Sequence, residues 1–527
     1  MNMCIMPFCR LKYRVTLNPL STQRHKLMRH LQLSLLTFSI LTFSTLCQAV
    51  ELTAGAAKID ITHPAKKLVE IPLHARALVL KSEDTALVIV TMDVVSIGEI
   101  GSIPDDFQSN VRARINDKLG IPTQNIMFNA SHCHGTPSPK SEDLTVQVIQ
   151  EAYRELVPVT LSAGRGHEDR IQENRRMQLK NGGEIDVRHA YSLPPNKAIL
   201  STGPIDPEIG ILRVDKQNGD TLAVLFNFAC HPIQGTPVSA GDTSDMTGYA
   251  AQVIEDNLDE GTIALFVQGC GGDINPIAYK DVDHPRNAET LGNLLGLSTL
   301  KGIRKAKASD DQRLLVINET LSLPRSNLAP RISELELYRE TLVNSFRGTT
   351  LNLRQFIHLT NKHNLSPDAP SYHISRYLHD KKLGHRYLEL MDANNRQNMN
   401  SYLENIYRME ELTRVNANLR LLKMHQQQNV DAGKRTIDVE VMALRLGSFV
   451  MITFPGELTV PIGLGIKERS PHPNTFVAGY TNGYIYYCPT AEQLKNVGGA
   501  QEDSDCILDP EWQELFETKV TELLNRL

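Results

Sequence analysis

The chain has 527 residues, of which 41% are hydrophobic and 22% are charged, values typical of a globular protein and not of a disordered one. A chain of this length can form one large domain or two to three ordinary ones. Its formal net charge is −5. Because nucleic-acid binding requires a basic surface, we expect no nucleic-acid partner.

Residues 1–49 have the pattern of a secretory signal peptide. A basic segment at residues 24–30 precedes the apolar stretch 31–46, and Ala49 is the small residue expected at a cleavage position. A retained membrane anchor and acylation at Cys47 are the alternatives. We predict that this segment is removed and that the mature chain is exported to the periplasm or the extracellular space.

The charge of the predicted mature chain differs from that of the whole sequence. The first 49 residues contain six Lys and Arg and no acidic residue, which leaves 49 basic and 60 acidic residues and a net charge of −11. No other stretch of 18 apolar residues occurs, so we predict no transmembrane segment in the mature chain. Five cysteines remain there, an odd number that argues against a full disulfide framework. Cys488 and Cys506 flank a loop, however, and a bridge between them is one alternative.

Apolar and polar patterns over residues 51–324 predict strands that alternate with helices. Such alternation is typical of an α/β (mixed) fold, in which helices cover β-sheets. We therefore predict that residues 50–328 form the first part of a catalytic domain. The predicted strands are 75–80, 87–94, 126–130, 222–228 and 263–267, and the predicted helices are 107–119 and 249–258.

Composition changes near Ala329. Residues 329–430 are rich in Glu, Arg, Asn, Leu and Tyr, and their apolar residues recur at helical spacing. We predict a helical insertion there, with a separate helical domain as the alternative. Strand patterns return at 437–446 and 449–454, and a final helix is predicted at 510–527, so residues 431–527 form the second part of the catalytic domain.

Three side chains that commonly bind metals follow predicted strands. His132 lies in a Ser-His-Cys-His-Gly turn, His231 precedes a proline, and Glu457 follows Pro-Gly. Each alone is a weak signal, because a turn histidine is often a hydrogen-bonded core residue and Glu457 could pair with Arg175 instead. Two histidines and one carboxylate with an open position are nevertheless the usual ligands of hydrolytic zinc. We predict that these three residues bind Zn²⁺.

Two further segments could contribute to the same site. The glycine-rich turn at 269–276 follows a predicted strand, so the N–H groups of Gly271 and Gly272 could face a substrate anion or oxyanion. A tight turn without a ligand is the alternative. Tyr484 belongs to a group of four tyrosines within residues 480–487, too many for all to be core residues. A phenol beside a metal can donate to an oxyanion or bind the metal weakly.

The order of these motifs resembles the neutral (alkaline, non-lysosomal) ceramidases and their bacterial relatives. No single motif is specific, but eight occur in the order of that family. The resemblance covers about residues 51–490, apart from the helical insertion. The eight segments are 54–62, 75–80, 131–135, 227–232, 244–250, 272–276, 455–457 and 482–484.

This resemblance implies a neutral-ceramidase-like catalytic domain and a zinc hydrolase that acts on a linear amide bond. It implies that Tyr484 joins the three predicted ligands at the metal. It also implies that His134 supports catalysis or faces the substrate, and that Arg175, in an Asn-Arg pair, binds the polar head of the substrate.

The sequence departs from the family in two respects. Asn275 occupies the position of the catalytic serine in Gly-Asp-x-Ser-Pro, and we expect no C-terminal immunoglobulin-like domain. An asparagine is not a nucleophile, so we predict direct attack by zinc-activated water, with Tyr484 or Asn275 hydrogen-bonded to the reacting groups. His134 or Asp273 would carry the proton to the leaving amine.

The predicted substrate is a small molecule or a lipid with an N-acyl linkage, ceramide or a related compound of sphingolipid metabolism. Peripheral contact with a membrane is compatible with such a substrate. A metallo-esterase or a small-amide hydrolase would use the same site. An alternative from a different functional class is a non-catalytic envelope binding protein that has this scaffold but catalyses no reaction.

Overall fold

The computed structural model describes residues 52–527 except 67–68, 84, 187–193, 236–241, 280–282, 284–285, 310 and 497–498. The predicted signal peptide therefore lies outside the described residues. Leu52–Leu527 form one compact unit. Within the described ranges, no helix combines the length and the apolarity that a membrane span requires.

The described residues form twenty strands, seven of which begin and end close to the strands that the sequence predicts. The strands are β1 (Thr53–Asp60), β2 (His74–Lys81), β3 (Ala86–Met92), β4 (Ile126–Ala130), β5 (Val157–His167), β6 (Gln172–Asn174), β7 (Arg176–Leu179), β8 (Glu184–Asp186), β9 (Ile199–Thr202), β10 (Glu208–Lys216), β11 (Thr221–Phe228), β12 (Ile263–Gln268), β13 (Ile274–Pro276), β14 (Lys307–Ala308), β15 (Leu314–Pro324), β16 (Thr436–Leu446), β17 (Phe449–Thr453), β18 (Glu457–Leu458), β19 (Asn474–Ala478) and β20 (Tyr487–Cys488).

Eleven α-helices accompany these strands in the described part of the chain. They are α1 (Phe107–Leu119), α2 (Ser141–Arg154), α3 (Asp245–Asp256), α4 (Ala288–Ile303), α5 (Ala329–Asn344), α6 (Leu353–Leu365), α7 (Ile374–Lys382), α8 (Tyr387–Asp431), α9 (Val460–Arg469), α10 (Gln501–Ser504) and α11 (Trp512–Leu524). The predicted mixed α/β fold is confirmed.

Two sheets carry the core. The larger has the order β12-β11-β10-β5-β1-β2-β3-β4, with β14 beside β5, and the smaller has the order β15-β16-β17-β19. Side chains on a strand point alternately to its two faces. Leu225 of β11 and Met451 of β17 therefore belong to the apolar layer between the sheets, whereas Val224, next to Leu225, packs with α3 and α4 on the outer face.

The larger sheet curls so that its two edge strands meet. The backbone N–H of Gln268, at the end of β12, donates to Oδ1 of Asn129 in β4 at 2.9 Å. The side-chain amide of Gln268 donates to the carbonyl of Ser131 at 3.0 Å. Because the predicted ligand turns follow β4 and β11, this closure brings two distant histidines to one place.

The segment predicted as a helical insertion contains α5 to α8. It leaves the smaller sheet after β15 and returns at β16, and these two strands are direct antiparallel neighbours. The insertion is therefore an excursion between paired strands. A small apolar cluster of its own joins α5 to the C-terminal part of α8.

Candidate functional site

The three side chains predicted as metal ligands come together in the structure. Nε2 of His132 lies 3.4 Å from Oε1 of Glu457, and Nε2 of His231 lies 3.1 Å from Oε2. All three residues are buried, and their ligand atoms lie within 4.8 Å of one another. Tetrahedral zinc with bonds of about 2.0–2.1 Å separates its nitrogen and oxygen ligands by roughly 3.3 Å. The donor set and its spacing therefore fit zinc.

The ends of strands place these three side chains. His132 follows β4 and has a φ of 68°, a left-handed conformation that is costly for a residue with a side chain. His231 follows β11, and its backbone N–H donates to the carbonyl of Ile274 at 3.0 Å. Glu457 begins β18, which pairs in parallel with β20.

Both histidines are oriented by their second ring nitrogen. Nδ1 of His132 lies 2.7 Å from the carbonyl of Val95, and Nδ1 of His231 lies 2.9 Å from the carbonyl of Ile274. A carbonyl accepts hydrogen bonds, so each Nδ1 carries the proton and each Nε2 is left as the basic nitrogen. Burial lowers the pKa of His132 to about 4, which keeps its ring neutral, the form that binds a metal.

Two tyrosines hold the carboxylate of Glu457. The hydroxyl of Tyr484 donates to Oε1 at 2.5 Å, and the hydroxyl of Tyr480 donates to Oε2 at 3.1 Å. Burial alone would raise the pKa of Glu457, but the attraction to His132 and His231 in their protonated forms and the hydrogen bond from Tyr484 bring it well below its usual range. Glu457 is therefore held as a carboxylate.

Tyr480 and Tyr487 are functional candidates that sequence reasoning did not single out. The hydroxyl of Tyr487 lies 3.4 Å from Nε2 of His231, and the ring of Tyr480 lies 4.6 Å from that of His132. The four tyrosines within residues 480–487 indicate that this segment is functional. The sequence does not indicate which phenols face the site, because that depends on how the segment pairs with β4.

A cavity of about 420 Å³ opens on the ligand cluster. His134, predicted as a proton carrier, lines it, and its ring lies 5.4 Å from that of His132. Leu421 and Met424 of the helical insertion form part of its wall. None of the described lining residues is a serine, threonine or cysteine.

Arg175 lines the same cavity, but the acid with which it pairs is not Glu457. Its Nε donates to Oε1 of Glu502 at 2.6 Å, and both side chains are buried. The guanidinium also lies 5.4 Å from the centre of the Tyr487 ring. The alternative in which Arg175 pairs with Glu457 is therefore wrong. Glu502 largely balances the positive charge of Arg175 at the cavity.

Asp273 and Asn275 lie behind the cavity wall and do not line it. Oδ1 of Asp273 accepts the backbone N–H of Val460 at 2.8 Å, and Oδ2 accepts the amide of Asn174 at 3.1 Å. Oδ1 of Asn275 accepts a hydrogen bond from Nη1 of Arg175 at 3.1 Å. In this geometry Asp273 stabilises the start of α9 and Asn275 supports Arg175, so neither of them contacts the cavity in the way predicted.

Gly271 and Gly272 also differ from the prediction. The N–H of Gly271 donates to the carbonyl of Gly269, and that of Gly272 donates to the carbonyl of Leu458, each at 2.9 Å. A Cβ at Gly272 would lie 2.5 Å from the carbonyl oxygen of Glu457. The glycine is therefore needed for close packing beside Glu457, and its N–H is not available to an oxyanion.

Cys488 and Cys506 are both free and buried. Sγ of Cys488 lies 3.8 Å from the carbonyl of Tyr486, whereas Sγ of Cys506 lies 3.8 Å from the carbonyl of Leu508. The thiols thus face different carbonyls, and the considered bridge between them is not formed.

Comparison with known proteins finds similar structures. No family model matches the chain. A crystal structure of neutral ceramidase from Pseudomonas aeruginosa is similar over 91% of this chain and 75% of its own, with a TM-score of 0.55 and 16% identity. A structure described as ceramidase complexed with C2 covers 91% of this chain and 76% of its own, with a TM-score of 0.56 and 17% identity. The chain has the neutral ceramidase fold, which confirms the resemblance at the level of the fold.

Proposed function

We propose that the protein is an exported, zinc-dependent hydrolase that cleaves an N-acyl amide linkage. The observation that carries this proposal is the convergence of His132, His231 and Glu457 at a cavity. Each is buried, and each is held by a hydrogen bond with a group outside the ligand set. Two histidines and one carboxylate are a usual ligand set of catalytic zinc, and histidines that bind a metal donate their second ring N–H to a carbonyl, as both histidines do here. The neutral ceramidase fold supports an amide as the scissile group.

These three residues would hold the zinc ion, with Tyr484 beside them. When bound, zinc supplies a Lewis acid that polarises the acyl carbonyl and lowers the pKa of a water molecule. The chain contributes the rigid frame. The Val95 and Ile274 carbonyls fix the two imidazoles, and the tyrosine hydroxyls fix the carboxylate.

Water is the nucleophile in this proposal. Asn275 replaces the serine of the family, and the described cavity wall offers no hydroxyl or thiol of Ser, Thr or Cys. His134 is exposed at the cavity and close to His132, so it can receive a proton from water and pass it to the leaving amine. This assigns to His134 the proton transfer that Asp273, behind the wall, does not reach.

The substrate class follows from the fold and from the cavity wall. The related structures are of ceramidases, which suggests ceramide or another N-acyl lipid as the substrate. Ile100, Leu421 and Met424 give the cavity an apolar side that suits an acyl chain. Export follows from the pattern of residues 1–49, and contact with a lipid surface would accompany a lipid substrate.

A substrate panel tests this function directly. Purified protein would be assayed on N-acyl sphingoid bases, N-acyl amino acids and simple esters, before and after chelation and after zinc is returned. We expect amide hydrolysis that chelation abolishes and zinc restores. Hydrolysis of esters alone would make the protein an esterase, and no zinc-dependent hydrolysis of any substrate would overturn the proposal.

A further inference from the structure

Asp505 is an acidic residue of the cavity wall that the proposed reaction does not use. Its Oδ1 lies 2.7 Å from Nε2 of His425, a completely buried residue of α8. Its Oδ2 has no hydrogen-bond partner among the described residues. Asp505 is only 8% exposed, and it lines the cavity. A carboxylate oxygen that remains accessible in a cavity can accept a hydrogen bond from water or from a ligand group that displaces this water.

The carboxylate is held firmly in place. The backbone N–H of Asp505 donates to the carbonyl of Gln501 at 2.9 Å, and its carbonyl accepts from the N–H of Tyr487 at 3.0 Å. On the other side of His425, Nδ1 lies 2.8 Å from Oε1 of Gln428, whose amide donates to the Tyr486 hydroxyl at 2.8 Å. The insertion thus fixes both the acid and an aromatic residue of the wall.

Two other charged residues of the cavity, Asp245 and Arg175, already have partners within the described chain. Asp245 accepts the backbone N–H of Met246 at 2.7 Å on one oxygen and that of Gly235 at 2.5 Å on the other. Arg175 is paired with Glu502. Asp505 therefore differs from Asp245, because it presents an oxygen that is oriented, partly accessible and not satisfied by the described chain.

We propose that Asp505 binds a hydrogen-bond-donating group, an ammonium or a hydroxyl, on the amine part of the substrate. This specificity residue rests on the proposed amide hydrolysis and narrows its substrate class to N-acyl amines that carry a second polar group. His425 is a positioning residue in this arrangement. A hydrogen bond to a charged acceptor typically changes binding by roughly 10- to 100-fold.

Three ligands with the same acyl chain and equal length on the amine side test this inference. N-acyl-1,2-diaminoethane ends in an ammonium, N-acyl-2-aminoethanol in a hydroxyl and N-acyl-propylamine in a methyl group. Calorimetric binding to the wild-type protein should be about 10-fold or more tighter for one or both donors than for the methyl compound. The Asp505→Leu variant should lose this preference, while its affinity for the methyl compound stays within about 3-fold.

Further variants separate recognition from a structural role. Asp505→Asn keeps an acceptor and removes the charge, so it should lose the preference for ammonium more than that for hydroxyl. The His425→Leu and Asp505→Leu double variant removes both members of the buried pair and guards against misfolding of the single variant. Exposed Glu514→Gln is the matched control and should bind all three ligands as the wild type does.

The outcomes are distinguishable from failure of the proposed function, because binding requires no turnover. Equal binding of the three ligands, an equal loss for all three in Asp505→Leu, or no binding of any of them would overturn the inference. Tighter binding of the donor ligands without any hydrolysis would support the role of Asp505 and contradict the proposed amide hydrolysis. Hydrolysis with equal binding of the three ligands would support the proposed function and contradict the role of Asp505.

Discussion

The two-sheet body and the helical insertion bury their side chains to very different degrees. In the body, both faces of β11 and β17 are covered, and large side chains such as Phe476 are completely buried. In the insertion, a single small cluster around Leu342 and Leu419 joins α5 to the C-terminal part of α8. Most large apolar side chains that are exposed in the described chain belong to the insertion.

This difference shows where precise geometry is available to a catalytic site. The proposed metal ligands all come from the body, whereas the insertion contributes to the cavity where the buried end of α8, near His425, reaches it. The N-terminal part of α8 is mostly exposed, and between Tyr387 and Thr413 only Asp392 is buried. The segment from α6 to the N-terminal part of α8 buries few side chains, and we call it the outer insertion. We therefore expect substitutions to have large effects in the body and small effects in the outer insertion.

The largest effect is expected for His231→Ala. Removing one of three ligands should reduce amide hydrolysis at least about 1,000-fold, since metal catalysis supplies several kcal/mol of transition-state stabilisation. Exposed His373→Ala, in the outer insertion, is the matched control and should retain wild-type activity. Comparable activity of the two variants would contradict the assignment of the site to the body.

Core truncation compares the two regions in stability. Phe476→Ala should lower the free energy of unfolding by about 3–5 kcal/mol, because a fully buried ring leaves a cavity between the sheets. Leu342→Ala should lower it by only about 1–2 kcal/mol, since the insertion cluster is small and relaxes more easily. Urea unfolding of both variants measures the difference, and equal losses would refute it.

The pH dependence of stability offers a test of burial in the body. Burial raises the pKa of Asp273 from 3.8 to about 6, so the folded chain holds this proton more tightly than the unfolded chain does. Its contribution to stability is therefore complete below about pH 4 and is lost as the pH rises through 6. Relative to Asp273→Asn, the wild type should lose up to about 3 kcal/mol between pH 4 and 7.

Unfolding of the wild type and Asp273→Asn would be followed at each pH, with exposed Asp368→Asn of the insertion as the control. A difference between wild type and Asp273→Asn that stays constant with pH would mean that Asp273 is not buried as described.

A smaller effect is expected for Tyr480→Phe. This substitution removes one hydrogen bond to Glu457 and should weaken zinc binding or activity by about 10- to 100-fold, the usual range for residues that orient ligands. Tyr377→Phe removes a hydrogen bond of the same kind, to Asp392 within the insertion, and should leave both unchanged. Zinc competition with a coloured chelator would measure the affinities, and a loss shared by both variants would indicate a general loss of stability.

The smallest effect is expected in the outer insertion. Leu378 of α7 is 62% exposed, so Leu378→Ala should change the free energy of unfolding by less than about 0.5 kcal/mol. A loss above about 2 kcal/mol would show that this face is covered in solution, which light scattering could attribute to self-association.

Much of the architecture could be predicted from local patterns. Hydrophobic periodicity predicts the helix at 107–119 and the strand at 126–130 with the bounds that the structure has, and it predicts the helical character of 329–430. The predicted helix at 249–258 begins earlier in the structure, at Asp245, whose carboxylate accepts the N–H of Met246. Polar first-turn residues such as Asp245 and Thr247 add no apolar residue to the helical pattern, so the pattern does not indicate this start.

The three clustered residues can be predicted because each lies a few positions after a buried strand, His132 after β4, His231 after β11 and Glu457 after β17. The residues that contact this cluster cannot be predicted in the same way, because they come from segments that are distant in the sequence. Arg175 pairs with Glu502, 327 residues away, and the edge strands of the large sheet meet only after it curls. No local pattern indicates that the N–H of Gly272 is taken by Leu458.

The central claim is that His132, His231 and Glu457 bind one zinc ion that is required for hydrolysis. Its most direct test is elemental analysis of zinc per chain, made on wild type and on folded His231→Ala in parallel with the amide assay. The account predicts about one zinc per wild-type chain, and a loss of both zinc and activity in the variant. An inactive His231→Ala that still holds stoichiometric zinc would contradict it.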